Sequence, residues 1–571
     1  MGLVLCPIVY FYLIVDAHLV NVPFIDDYLL LETVQQFKTE QNFLEATKIL
    51  FTQVNQHRFA FERLVMLTLV FFTGTVNLKV LITLGNLFLL GILYLFFLTF
   101  KQERVAWYYF LPVPFVLFNL TYYENAFWGI AAIQNTPLLF FAFLSAYGLS
   151  RSDRLGWWIG AVSALVATFV SGTGMLAWVI GAIILFFQRK YRSIFPWLGL
   201  AIGCISFYFL FDYQFIVSAT TDKPWQHPIF NGLLMLGFWG NALYLDIPHA
   251  MQQAFYPDMM ACVYLGLFIG IVFLGWTVRF FISRKIVRSY WFVLGALLFG
   301  LGTGAMFVLS RPMNQYFMYG GSIFSRRYMI FGAVLLAVAY LALIILTRRL
   351  RYVQPVVLAL GMLGFVVLNF QSYHTSIVHL RQQHDELLLD AYYWKNYTTF
   401  LTEGDNFGDK PFWNHPTRMK ELIRATESSG LSRLYASDKL PSPAKLRSQT
   451  RDKSGAFKGD FAAKAMSQIA ENNYPAEYLE FYVREKSERV PTNFLLISNQ
   501  HVLPLPALPI PHSLENFLKK RSYYDSELRY GMYRSKLPSG QFEVWLMSSE
   551  APESKNWDLR FTGKRISLSA D

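Results

Sequence analysis

Residues 329–346 read MIFGAVLLAVAYLALIIL, a run that contains no charged side chain. As an α-helix this run is about 27 Å long, close to the roughly 30 Å of hydrocarbon in a bilayer. It is followed at once by the basic sequence Thr347-Arg-Arg-Leu-Arg351. The stretch therefore predicts a membrane-spanning helix with a positively charged loop at its end.

The same pattern recurs along most of the chain. Hydrophobic residues make up 54% of the 571 residues and charged residues only 15%, a composition too apolar for a soluble protein of this size. We therefore predict a polytopic α-helical membrane protein with about ten to twelve transmembrane helices. A first segment at 3–20 lacks a basic leader and a small-residue cleavage site, so we expect it to remain as a helix. The other apolar runs lie at 76–100, 105–119, 136–149, 156–170, 173–187, 194–212, 259–281, 290–309, 329–346 and 353–371.

The net charge of +12 indicates membrane topology, because the basic clusters lie between the apolar runs. It gives no reason to expect nucleic acid as a partner. Short positive loops are typical of the cytoplasmic side. We therefore expect a multi-pass protein of a plasma membrane or bacterial inner membrane, in contact with membrane lipids. The positive loops are 101–104, 151–154, 188–192, 283–288 and 347–351, and the loops expected outside are 120–135, 213–258, 310–328 and everything after about 372.

The segment between residues 58 and 100 must cross the membrane an odd number of times for this topology to hold. An outward loop precedes the segment, and the basic loop 101–104 should face inward. We favour one crossing, with 58–74 lying at the membrane interface or dipping into it. Two crossings, with 101–104 outside, are the alternative.

The chain becomes more polar after about residue 372. We predict a transmembrane domain at 1–372, with a first outer loop at 21–57, and a soluble extracytoplasmic domain at 373–571. We interpret the proline-rich segment 503–511 as an extended connector. Helical patterning at 373–398 and 460–485, with short strands near 494–498, 531–534, 540–547 and 561–568, indicates an α+β or β-sandwich fold for the second domain.

Two adjacent carboxylates, Asp26 and Asp27, follow the first hydrophobic segment. An ionised side chain at a bilayer edge costs a few kcal/mol unless it faces water, a partner or a substrate. We therefore expect the pair to be functional. No His/Cys cluster has metal-ligand spacing, and no cofactor is predicted, although a divalent cation at Asp26 and Asp27 stays open.

A cationic stretch follows, in which His57, Arg58, Glu62 and Arg63 lie within about two helical turns. Cations beside an acidic pair suit a base next to a phosphate site. In the alternative interpretation Arg63 neutralises Glu62, while His57 and Arg58 anchor the helix at lipid headgroups.

The outer loop 121–135 mixes acidic, amide and aromatic side chains at the membrane surface. Aromatic faces stack on sugar rings, while amide and carboxylate groups bind hydroxyls. We therefore predict Glu124, Asn125, Trp128 and Gln134 as a sugar or acceptor site. Aromatic residues also form interfacial belts without any ligand, which is the alternative for the aromatics.

Arginines on the last outer loop depart from the positive-inside trend. Arg311 is followed by Ser325-Arg326-Arg327-Tyr328 at the start of an apolar run. Guanidinium groups match phosphate oxygens in a planar, two-pronged geometry. We predict that Arg311, Arg326, Arg327 and Tyr328 bind an anion, and the alternative is headgroup anchoring.

Together these segments resemble the GT-C superfamily of polytopic glycosyltransferases, which use polyprenyl-phosphate sugars on the outer face of the membrane. The resemblance rests on Phe24-Ile-Asp-Asp-Tyr28, on Gln56-His-Arg58 with Arg63, on Tyr123-Glu-Asn-Ala-Phe-Trp-Gly129, on Ser325-Arg-Arg-Tyr328 and on the soluble carboxy-terminal domain. It covers the architecture of the whole chain through short motifs. It implies that Asp26 or Asp27 is the catalytic base, and that Arg326 and Arg327, with Arg58 or Arg63, hold the lipid phosphate.

The implied reaction is an inverting transfer from a polyprenyl-phosphate sugar to a glycan or glycolipid acceptor. A carboxylate deprotonates the acceptor hydroxyl, and arginines stabilise the departing phosphate. A transporter or flippase of an anionic glycolipid is the alternative from another class. A polymerase or ligase with a lipid-pyrophosphate donor is a third interpretation.

Overall fold

The structure is a computed structural model, and it describes most of the chain. Arg311 lies outside the described residues, and so does half of the predicted outer loop 213–258, namely 216–225 and 244–256. The described residues are 2–54, 57–151, 153–215, 226–243, 257–282, 287–310, 324–401, 416–431, 440–450, 459–469, 475–485, 492–549 and 557–568.

The chain forms two compact units. The first comprises Met1–Leu19 and Glu32–Ile377, and the second comprises Val20–Leu31 and Val378–Asp571. The boundary predicted at residue 372 falls inside a continuous helix, Val353–Tyr397. The segment that carries Asp26 and Asp27 belongs to the second unit.

The first unit is helical. A two-stranded ribbon, β1 (Gln53–Val54) and β2 (His57–Arg58), interrupts its amino-terminal part. Helices α2 and α16 each continue across the division between the units. The helices are α1 (Gly2–His18), α2 (Asp27–Thr39), α3 (Phe43–Phe51), α4 (Ala60–Thr73), α5 (Leu78–Gln102), α6 (Pro112–Leu117), α7 (Tyr123–Phe127), α8 (Gly129–Ser150), α9 (Arg154–Val170), α10 (Leu176–Phe187), α11 (Tyr191–Leu210), α12 (Pro228–Trp239), α13 (Pro257–Ile282), α14 (Arg288–Ser310), α15 (Met329–Thr347) and α16 (Val353–Tyr397).

Within the described ranges, seven helices are long and apolar enough to cross a membrane: α5, α8, α11, α13, α14, α15 and α16. Five further apolar helices have 10–17 residues. This pattern supports a polytopic membrane protein, and the number of crossings stays a prediction. Between residues 58 and 102, α5 has 25 residues and spans about 37 Å, whereas α4 has 14 and spans about 21 Å. The lengths favour one crossing in this segment.

Small residues let two of the long helices approach closely. A Cβ atom at Gly85 of α5 would lie 2.5 Å from the backbone carbonyl oxygen of Ala132 in α8, so only glycine fits there. The next residue, Asn86, is buried and donates from Nδ2 to the carbonyl oxygen of Ala126 at 2.8 Å. This bond fixes the short helix α7 against α5.

Three basic loops meet at one end of the helical unit. Ser289 Oγ donates to one carboxylate oxygen of Glu103, and Arg348 forms an ion pair with the other. Arg288 Nε donates to Ser150 Oγ at 3.2 Å. The ends of α5, α8 and α15 and the start of α14 therefore lie together, and we call this region the basic end.

The second unit contains two four-stranded antiparallel sheets. Their strand orders are β10-β9-β5-β6 and β3-β4-β8-β7. The rings of Phe481 in one sheet and Phe494 in the other lie 5.9 Å apart, and both are fully buried. The elements are α17 (Pro416–Ser428), α18 (Pro443–Gln449), α19 (Leu514–Lys520), β3 (Gly459–Ile469), β4 (Pro475–Glu485), β5 (Asn493–Ile497), β6 (Val502–Pro506), β7 (Leu508–Pro511), β8 (Tyr524–Tyr533), β9 (Gly540–Ser549) and β10 (Trp557–Leu568).

Two predictions for this unit are wrong. Residues 460–469 and 475–485 are not helical but form the paired strands β3 and β4, and residues 470–474 of the predicted helix lie outside the described residues. The proline-rich segment 503–511 is not a connector but forms β6 and β7, each at the edge of a different sheet. Proline lacks an N–H group and is tolerated at sheet edges, where that donor is not needed. The predicted helix at 373–398 and the four predicted strands are confirmed.

Candidate functional site

The predicted sugar loop and the predicted phosphate loop meet in the first unit. Glu124, on α7, accepts hydrogen bonds at Oε2 from Ser325 Oγ at 3.1 Å and from the backbone N–H of Arg327 at 3.2 Å. The two segments are about 200 residues apart in the chain. One carboxylate therefore holds the arginine loop in place. We call the cluster the Glu124–Arg327 site; its members are Glu124, Asn125, Trp128, Asn135, Ser325, Arg326, Arg327 and Tyr328.

An amide pair makes the second connection between the loops. Asn135, in the second turn of α8, donates from Nδ2 to Asn125 Oδ1 at 3.0 Å and to the carbonyl oxygen of Arg327 at 3.3 Å. Asn125 in turn donates to Thr136 Oγ1 at 3.1 Å. All three side chains are buried. Both backbone groups of Arg327 are thus fixed without any use of its side chain.

The Arg327 guanidinium lies between aromatic rings. Its central carbon is 5.1 Å from the centre of the Trp128 ring and 4.9 Å from that of Tyr328. Such contacts contribute about 1–2 kcal/mol when partly desolvated. The Nε atom is buried and has no hydrogen-bond partner among the described residues. The charge is held in a fixed position with donor capacity left for an anion.

Arg326 is fully buried beside it. Its guanidinium carbon lies 6.0 Å from the centre of the Tyr123 ring, and Nη1 is 3.7 Å from Met329 Sδ. Two adjacent arginines with aromatic neighbours make the site electropositive. Glu124 partly balances this charge, although it binds the backbone of Arg327 and not its guanidinium.

Arg58 does not have the predicted role. It is fully buried, and its guanidinium donates to three backbone carbonyls: Tyr208 at 2.9 Å from Nε, with Phe51 and Phe211 from the terminal nitrogens. A guanidinium has five N–H donors, and most are used here. We therefore assign Arg58 to holding the end of α3 against the end of α11, and not to phosphate binding.

Arg63 is also committed to the fold. Its Nη1 donates to the carbonyl oxygens of Leu50 at 3.2 Å and Thr52 at 2.5 Å, and its Nε donates to Thr33 Oγ1 at 3.1 Å. It therefore fastens α2 and the end of α3 to α4. His57 lies on β2, near Gly172: a Cβ atom at that glycine would be 3.8 Å from His57 Nδ1.

Glu62 is a buried acid, for which neutralisation by Arg63 was the alternative interpretation. It has no exposed surface, and neither carboxylate oxygen has a hydrogen-bond partner among the described residues. Burial raises its pKa well above the ordinary range. Gln134, predicted as a sugar ligand, lies beside this carboxyl group.

The raised pKa of Glu62 predicts a pH-dependent stability. The unfolded chain loses this proton near the ordinary pKa of 4.5, while the folded chain keeps it to higher pH. The contribution of Glu62 to stability is therefore complete below that pH and is lost as the pH rises toward the folded-state pKa. Because glutamine cannot ionise, the melting temperature of Glu62→Gln minus that of wild type should increase from pH 5 to pH 8. Thermal unfolding in detergent measures it.

Glu45→Gln is the matched control, because the Glu45 carboxylate is partly exposed and pairs with Lys48 Nζ at 2.7 Å. The melting temperature of Glu45→Gln minus that of wild type should not increase from pH 5 to pH 8. Parallel pH profiles for wild type and Glu62→Gln would contradict the assignment.

The aspartate pair lies in the second unit and its two members differ. Asp27 is 1% exposed, and its Oδ2 accepts from the backbone N–H of Phe24 at 3.1 Å, which closes the turn before α2. Asp26 is half-buried. The preceding residue, Ile25, has φ of 43°, a left-handed conformation that costs a β-branched residue about 1–2 kcal/mol. Such strain is most often retained at functional positions.

Three further features bear on the predictions. Among the described residues, no group of three His, Cys, Asp or Glu side chains is placed to hold a metal ion. Asn135 and Ser325 were not among the predicted site residues. Both are polar residues beside apolar runs, and that position was the available signal.

No family model and no curated protein sequence matches this chain.

Proposed function

We propose that the protein is a membrane glycosyltransferase that moves a sugar from a polyprenyl-phosphate donor to an acceptor hydroxyl on the extracytoplasmic face. One observation carries the proposal. Glu124 and Asn135 join two predicted segments by hydrogen bonds to Arg327. One is the loop predicted to bind a sugar, and the other is the arginine loop predicted to bind a phosphate. A donor with a sugar next to a phosphate needs both chemistries at one place.

In this proposal Arg326 and Arg327 bind the lipid phosphate. Asn125 and Glu124 contribute polar groups near the sugar, and Trp128 with Tyr328 keeps the Arg327 guanidinium oriented. The arginine charge is preorganised, so it stabilises negative charge that builds up on the departing phosphate without reorganisation at the moment of reaction.

The reaction is a single displacement. A carboxylate, which we assign to Asp26, accepts the proton of the acceptor hydroxyl. The acceptor oxygen forms a bond to the anomeric carbon as the bond from that carbon to the phosphate oxygen breaks. The products are the glycosylated acceptor, a glycan or glycolipid, and a polyprenyl monophosphate, with inverted configuration at the sugar.

The test is turnover by the purified full-length protein, reconstituted in lipid, with a panel of polyprenyl-phosphate hexoses and pentoses. Release of polyprenyl monophosphate together with a labelled acceptor would support the proposal. Turnover only with lipid-pyrophosphate oligosaccharides would move the assignment to a polymerase or ligase. Transbilayer movement of intact donor without any product would identify a transporter and overturn the enzyme assignment.

A further inference from the structure

A pocket of about 880 Å³ lies at the basic end, between the start of α9, the end of α10 and the start of α11. It is separate from the Glu124–Arg327 site, because α8 runs about 33 Å from that site to the basic end. Its lining falls into two classes. Trp158, Leu185 and Leu200 form apolar walls, and Arg154, Lys190 and Arg192 form a cationic rim.

The rim carries more positive than negative charge, since Asp153 is the one acid among the described residues that line the pocket. The side chains of these three cations form no hydrogen bond and no ion pair with any residue that the structure describes, and only Lys190 feels the more distant charge of Asp153. The acid that lines the pocket, Asp153, is already engaged: it pairs with Arg151 at 3.0 Å and caps α9 by accepting from the backbone N–H of Gly156 at 2.5 Å. An anion would therefore find free cations here.

The position of Lys190 is fixed by the fold. The backbone N–H of Lys190 donates to the carbonyl oxygen of Leu185 at 3.0 Å, and Arg189 takes up a left-handed conformation with φ of 57°. Gln188 Nε2 donates to the carbonyl oxygen of Leu149 at 3.1 Å, which ties this turn to the end of α8. The turn therefore fixes the backbone of Lys190 beside the pocket that this residue lines.

The apolar walls continue onto the outer surface of the helices. Trp158 is 59% exposed and Leu200 is 41% exposed, an exposure that suits a surface covered by hydrocarbon. A Cβ atom at Gly199, between the rim and Leu200, would meet nothing within 4 Å. A ligand can thus place a polar group at the rim and an apolar chain along α11.

We propose that this pocket binds an anionic glycerophospholipid, with its phosphate at the Arg154, Lys190 and Arg192 rim and an acyl chain over Gly199 and Leu200. The combination favours a lipid over a free phosphate, which would leave the apolar wall unused. An anionic lipid also suits the basic end, because each cation near an anionic membrane surface contributes about 1 kcal/mol of attraction.

Native mass spectrometry of the full-length protein in detergent, titrated with phosphatidylglycerol or phosphatidylcholine, tests the charge requirement. The double variant Lys190→Gln/Arg192→Gln should weaken phosphatidylglycerol binding about thirtyfold, which corresponds to about 2 kcal/mol. The control Arg349→Gln/Arg351→Gln removes two exposed cations of the same end that do not line the pocket, and it should leave binding unchanged. Equal retention of both lipids by wild type would overturn the proposal.

A second pair of variants tests the apolar wall without removing charge. Gly199→Phe fills the pocket and should reduce phosphatidylglycerol binding at least tenfold. Gly203→Phe is the matched control, because a Cβ at Gly203 also meets nothing within 4 Å, and this residue does not line the pocket. Equal binding by the two variants would contradict the site. If polyprenyl phosphate binds and its binding is lost in Gly199→Phe only, while phosphatidylglycerol does not bind, the phospholipid proposal is overturned. The ligand would then be the lipid carrier of the donor.

Discussion

Arg327→Gln is expected to lower the turnover of a polyprenyl-phosphate sugar by about two to three orders of magnitude, the usual effect of removing one electrostatic stabiliser from a reaction centre. The guanidinium lies between the Trp128 and Tyr328 rings and has no ion pair with a described residue. Its charge is therefore available to the departing phosphate. Steady-state release of polyprenyl monophosphate measures the effect.

The structure makes this substitution unusually specific. The contacts that hold the loop use the backbone N–H and carbonyl of Arg327, through Glu124 and Asn135, and both persist in the variant. The melting temperature should therefore stay close to that of wild type. Arg349→Gln, an exposed arginine at the basic end, is the control and should leave turnover unchanged. A loss of less than about threefold for Arg327→Gln would point to headgroup anchoring.

Arg327→Lys separates charge from geometry. Lysine keeps the positive charge but lacks the planar group that stacks on the rings and offers two parallel donors. We expect turnover between that of wild type and that of the glutamine variant. Full activity of the lysine variant would show that the charge alone is sufficient.

Hydrophobic patterning predicted the helical unit well because long apolar runs have few alternatives in a membrane. The second unit was harder. Residues 460–485 are rich in Ala and Glu, which favour helices, yet Leu479, Phe481 and Val483 are buried and alternate with less buried neighbours. The alternation of buried and less buried side chains therefore outweighed the local helix propensity. The prolines of 503–511 were compatible with strands only because both strands lie at sheet edges, which a sequence does not reveal.

The candidate site shows the same limit at the level of single side chains. Arg58, Arg63 and Arg327 look alike in sequence, each lying near acidic or aromatic residues. In the structure the guanidinium groups of Arg58 and Arg63 donate to backbone carbonyls. Arg327 instead donates its backbone N–H to the Glu124 carboxylate. Which atoms of an arginine are engaged depends on where distant chain segments end. Sequence patterns identify the residue type, but they do not show whether its side chain or its backbone makes the contacts.

Asp26→Asn is expected to abolish most turnover, by about two to four orders of magnitude, since it removes the proposed general base while keeping size and polarity. Asp27→Asn should have a much smaller effect. The amide oxygen of asparagine still accepts the Phe24 N–H bond that closes the turn before α2. Turnover per folded molecule and melting temperature, measured for both variants, separate the two roles.

Asp27→Ala completes the comparison, because alanine removes the acceptor of the Phe24 N–H bond that closes the turn before α2. It should lower stability by about 1–3 kcal/mol, the usual cost of leaving a buried donor without its acceptor, with turnover per folded molecule largely retained. Asp26→Ala should differ from it in turnover per folded molecule, which should be lost because the proposed base is absent. If Asp27→Asn abolishes turnover while Asp26→Asn does not, the base is Asp27, and the strained Ile25 positions the buried acid. If both asparagine variants turn over normally, no carboxylate of this pair is the base, and the proposed displacement fails at its first step.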